Sequence, residues 1–193
     1  MTESLGPAAT YIGPTGETRD ALGVFGRTTT AEIEAVFQSR SFIGSTQVLP
    51  VLSGNILAFT LANPSNSGVN LHLSTRRFST DQQSNATPVE YLAYTDPTLV
   101  PSSLAIVANR FIGGPASPAV MRYQVGPLAS LPMGGTAASG ETVRTGGGAT
   151  IREVLVIIPP GRSLGFTITG AGNNLSQAVR TSISLEWFEQ TVA

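Results

Sequence analysis

The sequence predicts an all-β chain, an antiparallel β-sandwich or jelly roll of about eight to ten strands behind an extended N-terminal arm. Three observations lead there. Apolar and polar residues alternate over short runs, the period of a half-buried strand. These runs recur every ~8–15 residues and are cut by Gly, Pro, Asn and Ser, a spacing typical of sandwiches. No run carries a convincing amphipathic helical stripe. The arm is placed at residues 1–46 and the sandwich at 47–193.

Taken in order, residues 1–24 are polar and rich in Gly and Pro; GPAA and GPTGET do not extend into a triplet repeat, so no triple helix is expected. The stretch 25–40, FGRTTTAEIEAVFQSR, holds four of the 23 charged residues and too few apolar ones for a core element. Within it TAEIEAVF (30–37) reads either as one or two helical turns or as an extended strand anchored by Ile33 and Phe37. VLPVL (48–52) begins the strands. NILAFTLANP (55–64) puts Leu57, Phe59 and Leu61 on one side, and VNLHLSTRRFSTD (69–81) puts Val69, Leu71 and Leu73 inward. The turn cluster 63–68 between them predicts an antiparallel hairpin. EYLAYTDP (90–97), LAIVANRFI (104–112) and AVMRYQVG (119–126) are further strands, followed by a long loop over 127–149 with a short strand near 142–144. The last three runs are the clearest: IREVLVIIPPG (151–161), SLGFTITG (163–170) and VRTSISLEWFEQ (179–190), the last with Trp187 in register with inward residues.

Composition narrows the function. At 193 residues the chain fits one sizeable domain. A net charge of −1 supplies no field for nucleic acid or an anionic membrane. Only 12% of residues are charged, and all 11 cations are Arg. There is no cysteine, which removes disulfides and thiolate metal sites. MTESLGPAATYIGPTGE has neither a basic n-region nor an apolar h-region, so a signal peptide is not expected. No run approaches the length of a membrane span.

No catalytic pattern emerges. The single His72 sits on the polar face of an alternating strand, and no G-x-S-x-G elbow accompanies it. The pairs Glu32/Glu34 and Glu186/Glu189 lack the cleft that glycoside hydrolysis requires; Glu186 and Glu189 read as keeping a sheet end solvated. Asp20, Asp81 and Asp96 show no ligand spacing, and the Gly-rich 134–148 segment has no Walker lysine. No cofactor, metal or small-molecule ligand is therefore expected. Arg76-Arg77 reads as an inter-subunit ion pair or a solvated strand edge rather than a phosphate contact. Tyr91, Tyr94 and Tyr123 leave a carbohydrate-binding module open as a minor alternative.

FGRTTTAEIEAVFQSRS, with Phe25, Gly26, Arg27, Phe37, Gln38 and Ser39 as matching positions, resembles a segment near the start of tailed-bacteriophage structural proteins. Where that family often has a basic and a β-branched residue after FGR, this chain has Thr28-Thr29-Thr30. SGNILAFTLANPSNSGVNLHL (53–73) and IPPGRSLGFTITG with ISLEWFE (158–189) are similar to small β-sandwich proteins of phage virions. The resemblance covers about half of the chain. It implies a non-enzymatic virion component on the virion surface: a capsid decoration or cement protein, a head fibre or a tail accessory subunit. Its expected partners are further copies of itself and a capsid or tail protein. Isolated anchors in the arm cannot form a core of their own, so Phe25, Arg27, Ile33, Val36, Phe37 and Arg40 are the candidate contact residues. The rival expectation is a subunit of an extracellular filament joined by arm-to-sandwich strand exchange.

Overall fold

The computed structural model describes residues 10–12, 18–20, 30–52, 54–81, 89–127, 133–143, 148–170 and 179–192. Its elements are β1 (Thr10–Ile12), β2 (Thr18–Asp20), α1 (Thr30–Phe37), β3 (Ser41–Ser45), β4 (Leu49–Val51), β5 (Asn55–Ala62) and β6 (Val69–Asp81). There follow β7 (Val89–Thr95), β8 (Ser103–Leu104), β9 (Ile106–Asn109), β10 (Val120–Pro127), β11 (Thr136–Val143), β12 (Gly148–Ile158), β13 (Ser163–Gly170) and β14 (Val179–Thr191). No helix among the described residues is long and apolar enough to cross a membrane.

Among the described residues β1 and β2 pair only with each other. The remaining strands form two antiparallel six-stranded sheets. One runs β12-β6-β14-β3-β9, with β4 also on β14; the other runs β11-β7-β13-β5-β10-β8. Their facing sides share one core, as the alternation requires. Phe78 of the first sheet stacks on Tyr91 of the second at 4.2 Å and meets Phe166 edge-on at 5.7 Å. The Thr80 and Tyr91 hydroxyls share a 2.5 Å hydrogen bond across the same gap. Phe59 stacks on Phe166 at 4.9 Å and Phe42 on Trp187 at 6.0 Å. The expectation of an inward Trp187 holds: it is 1% exposed.

Several expectations are corrected. Residues 55–62 and 69–81 do not form a hairpin. β5 pairs with β10 and β13, whereas β6 pairs with β12 and β14 in the opposite sheet. The turn at 63–68 therefore carries the chain across the core, held by Asn63, whose Nδ2 donates to the carbonyls of Val69 and Ile158 at 2.8 Å each. The long 127–149 loop contains β11 on the edge of the second sheet, paired with β7. Its exposed Thr136, Ala137 and Ala138 carry no apolar alternation that would mark a strand. The arm boundary at 46 also moves. β3 lies between β14 and β9, with Phe42 1% exposed, so residues 41–45 belong to the sandwich. TAEIEAVF is helical, and Ala35 is buried where α1 meets β3 and β14.

A second, smaller cluster lies outside the main core: Ile56, Ala58 and Met133 with Tyr94 and Leu99. The Met133 carbonyl accepts from the backbone N–H groups of Thr98 and Leu99, which ties the 97–101 segment over β5. Consequently β5 is buried at six successive positions, on both faces.

Candidate assembly surface

The segment 99–109, LVPSSLAIVAN, contains no charged residue. Its alternation resolves into two short strands in different sheets. β8 pairs with Arg122 and Tyr123 of β10, and β9 pairs with residues 42–45 of β3. Between them the Ala105 N–H donates to the Met121 carbonyl. The segment thus runs along one flank of the sandwich, from the edge of one sheet to the edge of the other. Ala105 and Val107 pack inward on the core, while Leu104 (65% exposed) and Ile106 (61%) point outward.

The flank ends in a tight turn. Asn109 organises it: Nδ2 donates to the carbonyls of Ser39 (2.7 Å) and Pro115 (2.9 Å), and Oδ1 accepts from the Phe111 N–H (2.9 Å). Gly113, at φ 85°, occupies the left-handed region that glycine enters without a Cβ penalty. Arg110 reaches Glu186 at 3.2 Å. Phe111 and Ile112 are left exposed at the turn, Ile112 almost completely.

The expected contact residues divide. Phe25 and Arg27 lie outside the described residues. Ile33 and Val36 are half-buried, and Phe37 is 60% exposed at the end of α1, two residues from the Ser39 carbonyl that Asn109 binds. Phe37 and Phe111 thereby flank one hydrogen-bonded junction. Arg40 is half-buried, its guanidinium bonded to Gln38 and its carbonyl accepting from the Glu189 N–H. Leu104, Ile106, Phe111 and Ile112 had gone unremarked because an apolar run in a β-chain reads first as core; the absence of charge from 99 to 109 was the available signal.

Other candidate chemistry is placed differently. Arg76 is no edge residue; it lies 5.5 Å from the Phe78 ring centre and 5.9 Å from that of Phe166, on a strand paired on both sides. Tyr91 is buried and Tyr123 packs on the main core, while Tyr94 packs in the outer cluster, so the three do not make one exposed platform. Among the described residues, no three of His, Asp and Glu converge as metal ligands would. Neither member of the 186/189 pair simply solvates a sheet end. Glu186 pairs with Arg110, and Glu189 is 6% exposed and accepts a hydrogen bond from the Ser117 hydroxyl. His72 stacks on Phe188 at 4.7 Å.

Burial pushes the Glu189 carboxyl above its ordinary value of 4.5, against the pull of the Ser117 hydroxyl and the Arg40 charge. The folded state therefore favours protonated Glu189. Its contribution is fully present below the ordinary value and is lost as pH rises through the raised one. Burial lowers His72 from 6.5, which works oppositely: stability falls as pH drops below 6.5. Glu189→Gln is accordingly expected to melt higher than the parent at about pH 7.5, with the gap closing at about pH 4. Both proteins keep His72, so the difference between their melting curves isolates Glu189; a lower melting point at both pH values would contradict the assignment.

The chain matches no family model and no curated protein.

Proposed function

We propose that this chain is a non-enzymatic structural subunit of a virion, a capsid decoration, head-fibre or tail accessory protein that assembles with copies of itself. The observation that carries this reading is the strand order. Four strands of each sheet, β12-β6-β14-β3 and β11-β7-β13-β5, follow the order of a double-sheet jelly roll, an architecture used repeatedly for viral shells. β9 and β10 then extend one side of each sheet, and β8 borders β10. The likeness of FGRTTTAEIEAVFQSRS to phage structural proteins supports the same reading. Lectins also use jelly rolls, but the inward Tyr91 and Tyr123 favour the shell over a sugar platform.

In this reading the residues before α1 contact a neighbouring subunit or a capsid or tail surface, with α1 as the junction. Truncation must respect β3, since a chain starting at Ser45 would lose most of a central strand. The test compares the light-scattering mass of the full chain with that of a chain starting at Thr30. A discrete oligomer that falls to a smaller species on truncation is expected. Open-ended polymers that vanish on truncation would instead favour the extracellular filament. An unchanged mass, or two monomers, would overturn assembly through this segment.

A further inference from the structure

We infer that the flank built by β8 and β9 is a two-fold contact between copies of this chain. The choice of a second copy as occupant rests on the self-assembly proposed above; the surface itself does not. Ten large apolar side chains are strongly exposed among the described residues, and five of them, Val100, Leu104, Ile106, Phe111 and Ile112, fall between positions 100 and 112. Single exposed apolar residues are ordinary, whereas a contiguous stripe marks an interface.

The backbone points the same way. β8 and β9 each end their sheet, and neither has a strand on its outer side among the described residues. Proteins protect such edges with charges, proline or bulges. Pro101 stands just before β8, but β9 carries neither charge nor proline, and Arg110 beyond it is already paired with Glu186. The β9 edge is the bare one.

Charge also selects the partner. Around a two-fold axis residue i meets residue j and j meets i, and only residues on the axis meet their own copy, so a stripe carrying one sign of charge would repel itself. An uncharged apolar stripe is compatible with itself and offers a charged partner nothing to read. Antiparallel strand pairing is itself two-fold symmetric, so two β9 strands can continue the first sheet across the contact. At the opposite edges the described side chains of β11 include the exposed Thr136, Ala137 and Ala138, and those of β12 the exposed Ile157.

The native chain has no cysteine, so one introduced cysteine forms a disulfide only where two copies meet. Ile106→Cys and Ala108→Cys, each in the full chain, are oxidised separately and as an equimolar mixture, beside Ile157→Cys on β12 alone and mixed with Ile106→Cys. Covalent dimers are expected from one of the β9 variants, or from their mixture if the axis passes Val107, because facing residues of antiparallel strands come within disulfide reach. Ile157→Cys should give none. Ile106→Arg should weaken self-association by about 10-fold or more, without lowering the melting temperature of the monomer. Crosslinks forming only between Ile106→Cys and Ile157→Cys chains would overturn the two-fold contact in favour of a head-to-tail one. An oligomer by light scattering with no β9 crosslink would overturn this contact and leave the proposed self-assembly standing. A monomer at every concentration would overturn both.

Discussion

Trp187→Ala is expected to lower the unfolding free energy by about 3–5 kcal/mol, a large share of the ~5–15 kcal/mol that holds a domain of this kind. The ring is 1% exposed and stacks on Phe42. Beneath it the backbone has been cleared. A Cβ on Gly44 would stand 3.0 Å from Trp187 Cζ3 and 2.6 Å from Met121 Sδ. Glycine below offers nothing to fill the vacancy, and of the neighbours Phe42 and Met121 only the methionine is flexible enough to move in. The site therefore relaxes in part, and a cavity term adds to the lost transfer energy. Urea unfolding followed by far-ultraviolet circular dichroism measures this without the lost tryptophan signal. A deficit below about 1.5 kcal/mol would show that the site collapses after all. Trp187→Phe, which keeps an aromatic ring against Phe42, is expected to lose less.

How far the fold could be read depended on whether a residue's pattern was local. Leu164, Phe166 and Ile168, like Ile183, Leu185 and Trp187, alternate over whole strands, and each was placed on its correct face. β8 and β9 are too short to show a period and change sheets at Ala105, so one apolar run became two strands. β11 opens on an outer edge with the exposed Thr136, Ala137 and Ala138, which carry no apolar pattern. Strand partners were less legible still. Asn63-Pro64-Ser65-Asn66-Ser67-Gly68 has the composition of any turn, and nothing local states whether the chain returns beside itself or crosses to the other sheet.

The candidate surface shows the same limit. Phe37 was legible as a side chain outside the core because it stands in a segment with few apolar neighbours. Ile106 was not, because exposure follows from the end position of β9, which is a property of sheet order. Glu189 lay on the inward register of β14 all along; it read as solvated because carboxylates are rarely buried. Its partners Ser117 and Arg40 come from segments far apart in sequence.

Asn63→Asp is the sharpest test of the crossing that separates this fold from a meander. The two side chains are nearly identical in shape, yet the chemistry inverts. Asn63 is 2% exposed, and its amide nitrogen donates to the carbonyls of Val69 and Ile158. Its backbone N–H donates to the Arg162 carbonyl, and its own carbonyl accepts from Gly161. One residue thus ties the β5–β6 crossing to the β12–β13 crossing. An aspartate there would aim a carboxylate at two carbonyl oxygens, out of water. The expected loss is about 3 kcal/mol or more at neutral pH, beyond the ~2 kcal/mol expected of Asn63→Ala, which leaves the carbonyls unpaired without adding a charge. Burial and the two carbonyls would raise the pKa of the new carboxyl above its unfolded value. Its deficit should therefore shrink as pH falls towards the unfolded value of ~3.9, where the protonated acid can donate one bond. The alanine variant should show no such recovery relative to the parent. Urea unfolding of all three proteins at neutral and acid pH reads the difference. Equal losses for aspartate and alanine at both pH values would mean that the side chain reaches water, and that the two crossings are held by their backbone bonds alone.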